Sequence, residues 1–206
     1  MPAPRLDFVL LLSPAYCGGR RARALLNPAS AADAAVQLRA GSLTLGAAFS
    51  VMSSLYFRGK LAYARAVVAR RGAAAASFVI TPTRGLLAPN TMASVALLEE
   101  FAAVDIATDE ARYRTPLERD LRWLVPRLAP GARVVLLGSI STDKYVAVLV
   151  PALGPRLHYP PAFTGRGDMS RGGLLLRCAA SGEELDYAPL SADTPRHGPR
   201  PPTLPR

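Results

Sequence analysis

The chain predicts an α/β fold, a three-layer sandwich around a mostly parallel central sheet. Three observations carry this. Short apolar runs at Phe8-Val-Leu-Leu-Leu12, Ser77-Phe-Val-Ile-Thr81 and Val134-Val-Leu-Leu137 have the length and composition of strands covered on both faces. An amphipathic stretch, Leu117 to Leu128, leads through Pro130-Gly131 into the last of these runs, and helix, turn, strand is the order of an α/β sheet. Residues 133–150 then describe a buried strand, a tight polar turn and a helix start. Gly138 turns the chain, Ser139, Ser141 and Thr142 are capping types, and Asp143 suits the positive end of a helix dipole. Ligands of open α/β sheets collect beyond the carboxyl ends of the strands, so Gly138, Ser139, Ser141 and Lys144 mark the first expected binding segment.

A chain of 206 residues, half of them hydrophobic, is long enough for one sizeable core. The expected organisation is one domain over 1–190 and a disordered Pro/Arg-rich tail over 191–206. The net charge is +10 and is carried by arginine, Lys60 and Lys144 being the only lysines. Such a balance suits contact with DNA, RNA or a nucleotide, though on charge alone solvated surface arginine is the leading reading. Cys17, Cys178, His158 and His197 are too scattered for a zinc spacing, and no motif calls for a cofactor. The five-residue run Phe8–Leu12, with Pro14 behind it, is too short for a signal-peptide core or a membrane span. A cytoplasmic protein with no membrane attachment is expected.

In chain order, Leu6 to Leu12 is the first strand and Ser13-Pro-Ala-Tyr-Cys-Gly-Gly-Arg-Arg21 the loop after it. There Tyr16 offers a stacking face, and Arg20 beside two glycines offers charge and amide groups to an anion. The loop fits neither a P-loop nor a dinucleotide fingerprint. Residues 29–40 predict a surface helix. From Leu45 to Arg71 apolar residues recur at spacings of three and four, a helical pattern that Gly59 interrupts, with Arg58, Lys60, Arg65, Arg70 and Arg71 expected on its solvated side. Ser77 to Thr81 is the second strand, and Arg84 lies in its exit loop. Ser94 to Ala103 is a short helix or extended cover, and Leu117, Leu121, Leu124 and Leu128 step along one face of the following helix. Leu157 to Tyr159 is a short edge strand stopped by Pro160 and Pro161. The loop Phe163-Thr-Gly-Arg-Gly-Asp-Met-Ser-Arg-Gly-Gly173 has flexible glycines among Arg166, Asp168 and Arg171, and reads either as a clamp on a phosphate or base, or as an internally bonded corner. Leu174 to Cys178 and Leu185 to Leu190 predict a final hairpin about Ser181-Gly182.

Two segments carry a resemblance. Ser53-Ser-Leu-Tyr-Phe-Arg-Gly-Lys-Leu-Ala-Tyr-Ala-Arg65 followed by Phe78-Val-Ile-Thr-Pro-Thr-Arg-Gly-Leu-Leu-Ala-Pro89 resembles an uncharacterised group of bacterial and phage domains similar to the uracil-DNA glycosylase-like α/β fold. The strand, turn and helix at 134–150 resemble the late strand of that superfamily, and 158–173 falls where a His-bearing loop meets the substrate base. The resemblance spans about residues 6–178 and implies a nucleobase or nucleic-acid pocket, with His158 near the base. Where glycosylases of this fold carry Asp, Glu or Asn soon after the first strand, this chain has Ser13-Pro-Ala-Tyr16, without a general base.

Three functions follow as expectations. The first is a pocket for a base, with Tyr16, Arg20, Arg84, Ser139 and Arg166 around it. The second is an enzyme acting on a nucleotide or sugar phosphate, with Asp168 or Asp143 as acid or base and Arg166 and Arg171 on the anion. The third is a noncatalytic partner-binding domain. The first two require the loops at 13–21, 82–89, 138–143 and 163–173 to converge on one positively charged hollow.

Overall fold

Strand β1 (Leu6–Leu12) is the axis of the molecule, and its side chains divide the core in two. Phe8, Leu10 and Leu12 enter one apolar cluster, while Val9 and Leu11 enter another on the opposite face. All five are at most 1% exposed, and full burial of such a side chain stabilises by about 1.5–3 kcal/mol. The computed structural model describes residues 5–53, 55–199 and 201.

After β1 come α1 (Arg20–Leu26), α2 (Asp33–Arg39), α3 (Leu45–Ser53) and α4 (Leu55–Arg71), then β2 (Ala75–Ile80) and β3 (Leu86–Leu87). Next are α5 (Val95–Ala102), α6 (Ala111–Leu124), β4 (Leu128–Leu137) and α7 (Asp143–Leu153). The chain closes with β5 (Leu157–Tyr159), α8 (Asp168–Ser181) and β6 (Ala188–Pro189). The sheet order is β3-β2-β1-β4-β5-β6. The four central strands are parallel, and the two-residue strands β3 and β6 add antiparallel edges. Residues from α1 to α5 and α8 form the first cluster, and α6 and α7 cover the second, so the α/β, three-layer, mostly parallel expectation holds.

Several elements differ from the sequence reading, each for a local reason. The helical pattern over 45–71 forms two helices, α3 ending at Ser53 and α4 starting at Leu55, and Gly59 stays inside α4. A Cβ on Gly59 would stand 2.6 Å from Gly172 O, and one on Gly172 would stand 2.7 Å from Leu55 O, so α4 and α8 cross with their backbones in contact. That crossing explains why 174–178 is helix rather than one arm of a hairpin. Leu175 and Cys178 are buried one turn apart, a period of three that a strand would not place on one side. Leu157–Tyr159 is not an edge, because β6 pairs with it from Tyr159 to Ala188. The α6 helix begins six residues before Leu117, with the Glu110 carboxylate accepting from Arg112 N, and ends at Leu124. From Ser191 the chain makes defined contacts as far as Pro199: Arg196 pairs with Asp143, and the Pro199 carbonyl fills the space where Gly165 would carry a Cβ. Tail positions 200 and 202–206, where disorder was also expected, lie outside the described residues.

Candidate functional site

The sheet order changes direction at β1, whose neighbours β2 and β4 are reached by excursions to opposite sides. Loops diverge at such a point and leave a crevice at the carboxyl edge. Ser13 continues β1 into it. Its N–H donates to Leu137 O at 3.2 Å, and its hydroxyl reaches the same carbonyl at 3.3 Å. Gly138 follows β4 directly alongside, and a Cβ there would stand 3.1 Å from Ser13 Cβ and 3.3 Å from Ser13 Oγ. The glycine at 138 is therefore favoured by this close approach and not by a left-handed backbone, which Gly138 does not adopt.

Behind Ser13 stands Lys60, a residue the sequence placed on the solvated side of its helix. It is 1% exposed. Its Nζ donates to Ser13 O at 2.5 Å and to Ser13 Oγ at 2.8 Å, and lies 4.2 Å from the centroid of the Tyr56 ring. Among the described residues no carboxylate forms an ion pair with it. Burial pushes the amine down to about 7, against the pull of Asp168 and with the repulsion of Arg171 and Lys144. The helical spacing held the missed signal: Tyr56, Lys60, Tyr63, Ala64 and Val67 share one buried face of α4.

Two phenols complete the wall. The Tyr56 hydroxyl is buried and makes no hydrogen bond of ordinary geometry. Burial pushes this phenol up to about 12, although the Arg171 guanidinium beside it pulls the other way. Burial also raises the Tyr145 phenol, with Ser13 close enough to offset part of that rise. Together these groups bound a cavity of about 450 Å³ formed by the Ser13–Tyr16 turn, Gly19–Arg21, the α3–α4 junction, Ser139, the start of α7 and Asp168. A second cavity of about 280 Å³ shares Pro14–Tyr16, Lys144 and Tyr145 as a wall and extends to Pro82, Phe101 and Asp105.

Of the residues singled out from the sequence, Tyr16, Arg20, Ser139, Lys144 and Asp168 meet in the first cavity. Tyr16 is 72% exposed at its mouth. Ser141 supports the group by bonding its hydroxyl to Ser139 Oγ at 2.7 Å. Others go elsewhere. Arg84 turns outward because Thr81 Oγ1 accepts its N–H at 3.0 Å and donates to Gly85 O at 2.9 Å, closing a tight turn. Its guanidinium pairs with Glu100 and lines a separate cavity of about 560 Å³ with Thr115 and Pro116. The 82–89 loop thus reaches the cleft only through Pro82.

Arg166 donates to Ala162 O at 2.9 Å and Ser170 Oγ at 3.1 Å, and Arg171 donates to Phe163 O at 3.0 Å. Both brace the entry to α8 as a corner, while Asp168, 3.6 Å from Arg171, is the residue of that segment on the cavity wall. Asp143 is engaged by Arg196 and is absent from the wall. His158 is the plainest correction. It lies in β5 with Nδ1 against Arg156 O at 2.9 Å, and it lines a cavity with Gly131–Arg133 toward the amino-terminal part of β4, away from the carboxyl edge. Its backbone pairs in register with Val135, two residues short of the end of β4.

Cys17 and Cys178 are free and buried, and burial pushes the Cys17 thiol up to about 12. Among the described residues no group of three or more His, Cys, Asp or Glu side chains is placed to hold a metal ion, and no helix is long and apolar enough to cross a membrane. Comparisons of the chain with protein-family models, with curated proteins and with solved structures found no match.

Proposed function

We propose that the cleft between the carboxyl ends of β1 and β4 binds a nucleobase together with its phosphate, as part of a nucleotide or a nucleic-acid strand. The observation that carries this is that the exposed Tyr16 ring lines one cavity together with Arg20, Arg21 and Lys144. An aromatic face accepts a base by stacking, and adjacent cations hold the phosphate. On the same lining, Ser139 and the exposed Asp168 supply polar groups for the edge of the base. The buried Tyr56 hydroxyl at the wall gains a partner if a ligand atom reaches it.

The uracil-DNA glycosylase-like reading belongs to the same proposal. Two of the segments that resemble that superfamily, 134–150 and 158–173, contribute Ser139, Lys144, Tyr145 and Asp168 to the cleft. The missing acid after β1 makes this a binding site first. The test is titration of the full chain with nucleoside monophosphates and with a single-stranded oligonucleotide between about 50 and 200 mM salt. Oligonucleotide affinity that falls with salt, and that Tyr16→Ala weakens by about tenfold, is the expected result. Binding of neither ligand class, or binding indifferent to Tyr16→Ala, would overturn the reading.

A further inference from the structure

The Ser13–Lys60 pair has a chemistry that base binding does not use. Ser13 Oγ stands on the wall of the cavity, and Lys60 Nζ lies behind it at 2.8 Å, in an environment with no carboxylate paired to the amine among the described residues. We propose that Ser13 is a nucleophile with Lys60 as its base, and that the cleft hydrolyses esters of anionic acyl compounds through an acyl-Ser13 intermediate.

The geometry supplies the parts. When Lys60 is neutral, one N–H still donates to the Ser13 carbonyl at 2.5 Å, and its lone pair can accept the Ser13 hydroxyl proton once that hydroxyl turns from the Leu137 carbonyl, 3.3 Å away, toward the amine 2.8 Å away. Burial favours that neutral state near pH 7. Gly138 leaves room at Oγ that a larger residue would take. Tyr145, whose phenol Ser13 already influences, and Lys144 line the same wall and can face the oxygen that gains charge. Arg20 and Arg21 account for an anionic substrate.

The step balances without a further reagent. Ser13 Oγ bonds to the carbonyl carbon as its proton passes to Lys60; the carbon–oxygen bond to the alcohol breaks, and the alcohol leaves with that proton. Water, giving a proton to Lys60, then cleaves acyl-Ser13, and the proton returns to Ser13. A lysine present only to cap the end of β1 would make the same contact with the Ser13 carbonyl and leave the serine inert.

The groups around Lys60 that bear on its titration are Tyr56 on its own helix, Asp168 and Arg171 on α8, and Lys144 and Tyr145 on α7. Treatment of the full chain with a fluorophosphonate should give one adduct per chain, located by peptide mass spectrometry at Ser13. Its rate should rise through a midpoint near pH 7 and level off, whereas an unassisted serine would keep rising with hydroxide. Ser13→Ala should abolish the adduct, and a folded Lys60→Met should slow it at least 100-fold. No adduct on the wild-type chain, an adduct elsewhere, or a rate without a plateau would overturn the proposal, even if Lys60→Met failed to fold. The nucleotide titration is independent, so either conclusion can fail alone.

Discussion

Lys60 sets a pH dependence of stability whose sign is unusual for a basic protein. Its amine titrates at about 7 in the folded chain, against 10.5 when free. Below pH 7 both states carry the proton, and the folded state bears the full cost of burying a cation. Between 7 and 10.5 the unfolded chain holds a proton that the folded chain has released, so stability rises with pH. Integrating that difference from pH 7 to pH 9 at 1.36 kcal/mol per unit gives a gain of about 2 kcal/mol. Cys17 works in the opposite direction. Its thiol goes from 9.0 when free to about 12 when folded, so the folded chain is penalised as pH passes 9. By pH 9 this offsets less than about 0.5 kcal/mol of the gain. Urea unfolding followed by far-UV circular dichroism at pH 7, 8 and 9 reads the slope, and Lys60→Met should remove it. A flat or falling profile in the wild type, or the same rise in Lys60→Met, would show that the buried amine is not the source.

Two further outcomes follow from the packing. Gly172→Ala places a Cβ 2.7 Å from Leu55 O and should cost about 1–3 kcal/mol by forcing α8 off α4. Gly173→Ala meets nothing within 4 Å and should stabilise α8 by up to about 1 kcal/mol, so thermal denaturation of the two variants must diverge. Arg84→Ala should leave nucleotide affinity unchanged, because Arg84 is held by Glu100 at another cavity, whereas Lys144→Ala should weaken it several-fold. Equal losses in the same titration would place Arg84 at the ligand after all.

The sheet was legible because its strands are short, apolar and uninterrupted: Leu6–Leu12 and Leu157–Tyr159 have the bounds their composition suggests. The helix start at Asp143 was legible from Thr142 at the N-cap position and Asp143 in the first turn, although Thr142 makes no side-chain capping bond. What misled was local resemblance between states. Leu174-Leu-Leu176 beside two glycines looks like a strand after a loop, yet the first of them, Gly172, serves a helix crossing visible only once α4 is in place. The expectation that loops at the carboxyl ends converge brings Ser139, Lys144, Tyr16 and Arg20 onto one cavity. Arg84 lies apart because its guanidinium is held by Glu100 beyond the Thr81–Gly85 turn, and His158 lines a different cavity beside Gly131–Arg133.

Lys60 was overlooked for a different reason, since its charge was weighed before its helical face. Its position argues for function more than for stability. A buried amine without a carboxylate partner costs free energy that a Met or Leu on the same face of α4 would not. Gly138 lacks a side chain where one would crowd Ser13, and the buried Tyr56 hydroxyl makes no hydrogen bond of ordinary geometry among the described residues. These locally unfavourable choices gather around the end of β1, while the strand leading there is wholly apolar from Phe8 to Leu12. Proteins tend to break the rules of good packing where they act. The concentration of such breaks at the strand-order reversal is the reason to place the proposed site at this edge of the sheet.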